Sequence, residues 1–588
     1  MKHSSFTVEV HLTAEGAEDA QRREDFLCAS SAPSAVKSVF QTVSIGVALA
    51  FILLLSVSQT YAQEHQHGQG ESDDAPITFP AELLERPVAL RAGTGAQTIN
   101  DPVTTASKQA QAFYAQGVAY LHGYVFIEAA RSFNQALRLD AKLAMAYVGL
   151  SRAYAGLNVW DAARAALDQA QSLAAGASKR EQLRIALRAK QLAAITDIGN
   201  TVKFGDYKRA LDDALTAYAQ DTELWLLRGN AEEANAAGRG QHGGAASIPF
   251  YEKALQLAPD HIAAHHYLTH SLENVGRIEE ALKHGEAYAR LAFSVPHALH
   301  MYGHDLRRVG RVSDAIAQFR RADQLEQDYY KAENIPSQFD WHHEHNLDLL
   351  ATSYQHQGQM KDAERLMRQA FAIPSMQDTL EFNKKQWPQF LIGRGRPKEA
   401  LEASQKLSRS RWDIVRVIGY VFMSHADLAL NDLPAASDAA KSALREMQMM
   451  GGRAAFVAPY MEALQGEFFL RTGQLEKGRA LLTQAAARVR AEAGPDAWTQ
   501  ALFRLEALAA AARAAGDWQL AESLARQMLE HDAAYAGSHY ALALVAEQKN
   551  DNVAAVTEYA EVEKLWRNAD TDLPERQQAR ARLAALKK

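Results

Sequence analysis

The chain has 588 residues, 47% of them hydrophobic, and a formal net charge of −7. It is longer than one compact domain requires, and its slightly acidic charge without a basic stripe excludes a nucleic-acid partner. The single cysteine, Cys28, precedes a segment that we expect to be removed, so thiolate ligands and structural disulfides are excluded from the mature chain. Frequent Ala, Leu, Gln, Glu and Arg predict helices nearly throughout.

Residues 1–62 are predicted to contain an export signal. An apolar run of about 15 residues at 43–57 is shorter than the ~20 residues of a membrane span, and the small residue Ala62 follows it. We therefore expect cleavage after Ala62, no stable membrane anchor afterwards, and a periplasmic or secreted protein. Residues 1–35 are too long and too acidic for a signal, so we expect translation to begin near Val36. The competing interpretation is a retained membrane anchor.

Three further segments follow the signal. Residues 63–106 are polar with scattered Pro and Gly, which predicts a flexible linker. Residues 107–375 are predicted to form an N-terminal array of helical repeats with a histidine-rich groove. Residues 376–588 are predicted to form a second array of weaker repeats that ends in a polar capping helix.

Two histidine pairs in the middle of the chain lie one repeat apart. His266 and His270 are followed 34 residues later by His300 and His304, and a glycine after each pair keeps the same offset. A 34-residue period is that of the tetratricopeptide repeat, in which two helices form one unit and the units stack. Polar residues therefore recur where an ordinary repeat needs none, which makes this stretch the best candidate for function.

The small and aromatic positions fit the same repeat. Gly117, Ala129, Phe133 and Ala136 match small residues where two helices touch and an aromatic that fills the gap. The chain resembles the tetratricopeptide-repeat (TPR) superfamily over residues 108–566. That resemblance implies an all-α, right-handed superhelix of helical hairpins that binds a protein or peptide ligand along its concave groove.

A closer resemblance rests on the histidine-rich segments. The sequences at 227–233, 265–271, 300–310 and 341–350 look like those of a group of exported bacterial TPR proteins with a histidine-rich middle section. This second resemblance implies no particular activity.

The superfamily pattern also indicates which side chains line the groove. The fifth, ninth and twelfth positions of each first helix point inward, and alignment on Gly276, Gly310 and Gly358 assigns them in three successive units. With the residues one turn earlier, they hold mostly imidazoles and carboxylates. The candidate binding residues are His266, His270, Glu273, His297, His300, His304, Arg307, His345 and Asp348.

The same candidate residues, which we call the histidine band, also predict a metal site as an alternative function. Two histidines four residues apart share one helix face, and neighbouring helices pack ~8–10 Å apart, so their side chains can share an ion. Imidazole with carboxylate and no thiolate suits a divalent transition metal such as zinc, copper, iron or nickel. The predicted ligands are His266, His270, His300 and His304, with Glu273 or Asp348 supplying oxygen.

Two functions therefore stay open. The first is an exported TPR scaffold that binds a peptide or protein in its groove, and the second is a metal-binding protein or metalloenzyme. The HExxH motif of zinc proteases is absent from the sequence, so we assign no catalytic residue. Arg307 would either oppose a bound cation or pair with Glu273. We interpret His122 and His265 as structural.

Overall fold

A computed structural model describes residues 79–197, 199–233, 241–492 and 496–587, which belong to one unit of the chain, Ser72–Lys588. Within these ranges all regular secondary structure is helical, which confirms the predicted all-α class. None of the described helices is long and apolar enough to cross a membrane. Cys28, the signal segment and the first part of the predicted linker lie outside the described residues. The right-handed sense of the superhelix stays a prediction.

The helices follow one another as hairpins, and each packs chiefly on its neighbours in the sequence. The first group is α1 (Ala81–Glu85), α2 (Lys108–His122), α3 (Phe126–Leu139), α4 (Ala144–Gly156), α5 (Trp160–Leu173), α6 (Lys179–Ile195), α7 (Thr201–Ala217), α8 (Thr222–Asn230) and α9 (Ile248–Leu257). The middle group is α10 (Ile262–Asn274), α11 (Ile278–Leu291), α12 (Pro296–Arg308), α13 (Val312–Glu333), α14 (Trp341–His356) and α15 (Met360–Ala372). The last group is α16 (Asp378–Asn383), α17 (Gln386–Gly393), α18 (Pro397–Leu407), α19 (Asp413–Ala429), α20 (Leu433–Met449), α21 (Ala458–Arg471), α22 (Leu475–Ala491), α23 (Ala497–Ala514), α24 (Trp518–His531), α25 (Ala536–Gln548), α26 (Asn552–Leu565) and α27 (Pro574–Leu586). This arrangement confirms the predicted TPR-type helical-hairpin solenoid.

Small residues let the two helices of a hairpin approach closely. A Cβ atom on Gly117 of α2 would lie 2.6 Å from the ring of Phe133 on α3, and a Cβ on Gly303 of α12 would lie 2.7 Å from Phe319 on α13. The aromatic ring therefore fills the space that glycine leaves. This packing is the one that the repeat pattern predicts.

Three glycines end the helices that carry the histidine band. Gly276, Gly310 and Gly358 follow α10, α12 and α14 with φ of +79°, +78° and +75°. A residue in this left-handed conformation stops a helix and turns the chain, and glycine adopts it without a steric penalty. The helices α10, α12 and α14 therefore end in the same register, two residues before the glycine, which places equivalent side chains side by side.

The linker expectation does not hold for residues 79–106. Leu83 and Leu84 of α1 are buried, and Arg91 forms an ion pair with Glu333 at the end of α13. The backbone N–H of Ser294 donates to the carbonyl oxygen of Gly93 at 3.0 Å. Polar composition predicted flexibility, but long-range contacts with later repeats order this segment.

The last helices return to the middle of the solenoid. The N–H of Asp570 donates to the carbonyl oxygen of Gly358 at 3.1 Å, and the indole of Trp566 donates to the carbonyl oxygen of His356 at 3.0 Å. Arg307 of α12 forms an ion pair with Asp532, just after α24, at 2.7 Å. The C-terminal repeats therefore cover the inner face of α12 and α14 instead of leaving it open.

Candidate metal centre

Six buried histidines on α10, α12 and α14 form two groups of three. Within each group, one ligand nitrogen from every ring lies within 4.8 Å of the other two. Triad A is His266, His270 and His297, and triad B is His300, His304 and His345. Each triad combines an i, i+4 pair on the first helix of one hairpin with a histidine on the first helix of the following hairpin. The sequence predicted four of these as ligands, and named His297 and His345 only as binding residues.

Triad A converges on the Nε2 atom of His266. Its Nδ1 lies 2.7 Å from the carbonyl oxygen of His122, which can only accept, so Nδ1 carries the hydrogen. In the neutral ring, Nε2 therefore presents a lone pair. The Nε2 atoms of His270 and His297 approach this same atom at 3.1 Å and 3.0 Å.

Hydrogen bonding alone does not account for this convergence. One imidazole lone pair accepts one well-directed hydrogen bond, yet two ring nitrogens lie within 3.1 Å of it. Two nitrogens bound to one ion at ~2.0–2.1 Å, with an angle of about 90–110° between the bonds, are about 2.9–3.4 Å apart. The observed separations of triad A fall in that range.

Triad B is oriented by an asparagine. The side-chain amide of Asn346 donates to the carbonyl oxygen of Phe319 at 3.0 Å, which turns its Oδ1 towards Nδ1 of His300 at 2.9 Å. His300 therefore carries its hydrogen on Nδ1 and presents the Nε2 lone pair, which faces Nε2 of His304 at 3.0 Å. The ring of His345 lies 4.6 Å from that of His300.

Two carboxylates face the Nδ1 atoms of triad B histidines. Glu273 Oε1 lies 3.5 Å from Nδ1 of His304, and Asp496 Oδ2 lies 3.4 Å from Nδ1 of His345. Histidines that bind metals usually face a carboxylate or carbonyl with their other ring nitrogen, which fixes the ring and raises its basicity. Glu273 therefore occupies an outer position, where the sequence had predicted a direct ligand. Asp496, from the start of α23, was missed because only the returning repeats bring it here.

Burial keeps most of these imidazoles neutral. It lowers the pKa of His266 to about 3 and that of His345 to about 4. Burial and the neighbouring imidazoles hold the pKa of His270, His297 and His300 well below the usual value. A neutral imidazole has the lone pair that a metal ion needs. His304 differs, because Glu273 outweighs burial and raises its pKa.

His342 and His343 lie beside the triads but have another partner. Their Nδ1 atoms contact the two carboxylate oxygens of Glu326, the second at 3.1 Å. Although burial raises the pKa of Glu326, these two histidines lower it to about 2. α13 is 22 residues long and runs to Glu333, so Gly358 follows Gly310 by 48 residues, where Gly310 follows Gly276 by 34. The same added length brings Glu326 to the site.

Two predicted roles need correction. Asp348 lies in neither triad; burial and Asp496 raise its pKa to about 8, against the opposing effect of Lys385. Arg307 does not pair with Glu273, because its guanidinium binds Asp532 and Glu273 faces His304 and Arg308. The charge of Arg307 is therefore compensated away from the triads.

The predicted groove residues are also buried. All nine candidate binding residues are at most 8% exposed. Tyr124 packs on His266 and His297, and the returning C-terminal repeats bring Asp496 to His345 and Asp532 to Arg307. A peptide lying in a concave groove does not reach these side chains in this conformation.

Tyr124 packs directly on triad A in an unusual backbone conformation. Its φ is +59°, and its ring centre lies 4.6 Å from that of His266 and 5.0 Å from that of His297. In the other hairpin loops that the structure describes, the left-handed position holds Gly or Asn, as at Asn158 and Gly310. A bulky residue there costs about 1–3 kcal/mol, and such strain concentrates at functional sites. Alignment of the hairpin loops could have found this signal in the sequence.

A cavity of about 480 Å³ adjoins triad B. Its wall includes His345 and Asp496 beside triad B, and Tyr124 beside triad A. Aromatic rings line much of the rest, among them Trp341 and Tyr460. This volume is typical of a small-molecule site and provides a route from the surface to the histidines.

His122 and His265, which we interpreted as structural, have partners outside the triads. His122 Nδ1 lies 2.7 Å from the hydroxyl of Tyr267, and its Nε2 lies 3.0 Å from Glu223. His265 Nδ1 lies 2.9 Å from Nδ1 of His284 on α11. His265 is therefore a natural control, because it adjoins a triad histidine in sequence but faces away from the triad.

Comparison with known proteins found solved structures of similar fold. Yeast Tom70 matches with a TM-score of 0.30 and 13% identity, over 82% of this chain and 96% of that chain. Cut9–Hcn1, a hetero-tetramer of the APC/C, matches with a TM-score of 0.28 and 14% identity, over 82% and 97%. A tetratricopeptide repeat protein from Parabacteroides merdae matches with a TM-score of 0.33 and 14% identity, over 48% and 99%. Neither a family model nor a curated protein matches. Each likeness concerns the fold alone and carries no functional information.

Proposed function

We propose that this chain is a metal-binding protein that holds one transition-metal ion in each histidine triad. The observation that carries the proposal is the approach of three Nε2 atoms in triad A, at 3.0 Å and 3.1 Å, around a lone pair fixed by the His122 carbonyl. Triad B repeats the arrangement one unit later, with Asn346 in the role of the carbonyl. The ligands are six imidazoles, a donor set that suits zinc or copper.

Three protein ligands per ion leave a coordination position open. Structural zinc sites use four protein ligands, whereas catalytic sites use three and bind water or substrate at the fourth position. The cavity of about 480 Å³ gives a small molecule access to that position past His345. The arrangement therefore favours chemistry on a bound small molecule over a purely structural role.

Elemental analysis of protein purified without a histidine tag tests the proposal. We expect about two zinc or copper ions per chain, because there are two three-histidine sites. His270→Asn should remove the ion of triad A, and His304→Asn that of triad B. His265→Asn is the matched control and should keep both. Protein that stays metal-free after zinc, copper and iron are added back would overturn the proposal, and so would equal loss in the control.

A protein-interaction scaffold is the second candidate function, supported by the solenoid fold, whose stacked repeats present extended surfaces. Its contact surface would lie away from the buried histidines. Three large apolar side chains are exposed at the end of α20 and in the turn after it: Leu444 at 39%, Met449 at 71% and Phe456 at 53%. Such exposed apolar groups mark interaction surfaces.

A cross-linking experiment in the native compartment tests this second function. We expect one defined protein to be captured by the unchanged chain and lost from a Met449→Asp/Phe456→Asp double variant. Val202→Asp is the control, because Val202 is also an exposed apolar residue but lies on α7. Equal capture by all three proteins would contradict it.

We also propose that the chain acts after export. The support is the apolar run at 43–57 followed by Ala62, both in the part of the chain that the structure does not describe. N-terminal sequencing of the mature protein should give Gln63 as the first residue or show it cyclised. A mature protein that retains residues 43–57 would instead indicate a membrane anchor.

A further inference from the structure

A second cavity, of about 390 Å³, lies within the C-terminal repeats. It is lined by parts of α17, α19, α21, α23 and α25, and none of the six triad histidines is on its wall. Its volume lies in the ~300–1,000 Å³ range of small-molecule sites. The feature is separate from the proposed metal centre and needs its own explanation.

One face of α23 makes room for this cavity. Phe503, Ala507, Ala510, Ala511 and Ala514 all lie on its wall. Their spacing of about three to four residues places them on one side of the helix. The small alanine methyl groups along that side leave an apolar channel open. Larger side chains at these positions would fill the channel. Apolar surface in a channel of this size suits an apolar ligand.

The charged groups on the wall are paired, with one exception. Arg394 binds Glu575 at 2.6 Å, and Arg471 binds Glu467 at 3.2 Å. Arg504 binds Glu492, a residue outside the wall, at 2.5 Å. Arg513 also lines the cavity, but no hydrogen bond or ion pair joins it to another described residue. It is therefore the cation that is free to receive an anionic group.

Glu506 is the acidic group that acts most strongly on Arg513. One of its oxygens accepts a hydrogen bond from the Tyr535 hydroxyl at 2.7 Å. Burial raises the pKa of Glu506 and lowers that of Arg513. The half-buried Arg513 guanidinium lacks a hydrogen-bonded counter-charge among the described residues, and a carboxylate ligand that binds it directly would supply one.

We propose that this cavity binds a fatty acid, whose carboxylate pairs with Arg513 and whose alkyl chain lies along the alanine face of α23. The single free cation selects one negative charge, and the apolar wall selects an unbranched hydrocarbon tail. The proposal does not depend on metal in the histidine triads.

Calorimetric titration of the full chain, stripped of bound lipid, with laurate tests the proposal. We expect saturable binding below about 100 µM. Butyrate, which lacks the tail, and dodecyltrimethylammonium, which has the opposite charge, should bind at least tenfold more weakly. Absence of saturation with laurate would overturn the proposal, and so would equal binding of the cationic analogue or binding of a peptide C-terminus in its place.

Variants separate ligand binding from folding. Arg513→Gln should weaken laurate binding about tenfold, and Arg513→Lys should retain part of the affinity because it keeps the charge. Ala510→Leu should abolish binding by filling the channel. Arg526→Gln, on the exposed side of α24, is the control and should bind as the unchanged chain does.

If Arg513→Gln melts normally and binds laurate within twofold of the unchanged chain, the proposal is wrong. His270→Asn should leave laurate binding unchanged, which separates this site from the metal centre.

Discussion

Arg307 of α12 and Asp532 at the end of α24 form a buried ion pair, with 2.7 Å between Nη1 and Oδ2. The same carboxylate oxygen lies 3.1 Å from Nε2 of His356. This contact joins residues 225 positions apart and holds the returning repeats over triad B. It connects the closure of the solenoid to the burial of the proposed metal centre.

Removal of one partner of this pair should destabilise the fold. Asp532→Asn leaves the Arg307 charge buried without a counter-charge, a change that typically costs about 3–5 kcal/mol. Denaturant unfolding of metal-free protein measures it. Asp314→Asn is the control, because the Arg311–Asp314 pair is 52% exposed on both sides and exposed pairs contribute about 0–1 kcal/mol. Equal losses in the two variants would show that the long-range pair has no special role.

Metal ions should stabilise the folded chain by mass action. Zinc or copper at a hundredfold excess over its dissociation constant should raise the free energy of unfolding by ~2.7 kcal/mol for each occupied triad. Thermal unfolding with and without chelator measures the change. A variant in which all six triad histidines are Asn should show no metal-dependent shift. An identical shift in that variant would place the ion elsewhere.

Glu273 should tune the affinity of triad B without being a ligand. Its carboxylate lies 3.5 Å from Nδ1 of His304, and loss of such an outer partner typically weakens metal binding 10–100-fold. Competition titration of Glu273→Gln against a chromogenic chelator measures this factor. Glu280→Gln, on the exposed face of α11, should leave the affinity unchanged. A complete loss of the ion in Glu273→Gln would instead indicate that Glu273 binds it directly.

Asp348 should make stability depend on pH. Its folded-state pKa of about 8 lies above the unfolded value of about 3.9. Between these values the folded state binds more protons than the unfolded state, so the stability contributed by protonated Asp348 is lost as pH rises through about 8. Asp348→Asn cannot titrate. In metal-free protein, its advantage over the unchanged chain should be about 3–4 kcal/mol larger at pH 8 than at pH 5. A constant difference would contradict the shift, and exposed Asp314→Asn serves as the pH control.

Gly303 should couple hairpin packing to triad B. An added Cβ would lie 2.7 Å from the ring of Phe319, which also packs 5.3 Å from the ring of His300. Gly303→Ala should therefore cost about 1–3 kcal/mol of stability and weaken metal binding at triad B. Gly205→Ala is the matched helical control, since its nearest neighbour is the flexible end of Arg209 at 3.3 Å. It should be neutral or stabilise by up to about 1 kcal/mol. A neutral Gly303→Ala would show that the hairpin relaxes freely.

Local periodicity predicted the parts of this structure that depend on nearby residues. The spacing of His266 and His270 sets one helix face, and the glycine–aromatic pair Gly117–Phe133 sets a hairpin. These features follow from the geometry of one or two helices. The helical-hairpin fold could therefore be predicted from the sequence.

The sequence could not predict that the C-terminal repeats bury the histidines. Whether Asp496 meets His345 depends on small rotations that accumulate over many stacked repeats. No periodic signal in the sequence records that sum, so the burial of the histidines by the C-terminal repeats and the place of Asp496 beside His345 could not be predicted. Tyr124 is different, because its place among Gly and Asn in the hairpin loops is visible in the sequence.

The order in which the chain is made gives the returning repeats a further consequence. Asp496 and Asp532 follow His345 by 151 and 187 residues. At ~5–20 residues per second, the ribosome needs on the order of 10 s to add that length after His345. During that interval α10, α12 and α14 are not yet covered by the C-terminal repeats. On the proposed function, an ion can therefore reach the triads in that interval without passing through the cavity, and the compartment in which the last repeats fold decides which metal is retained.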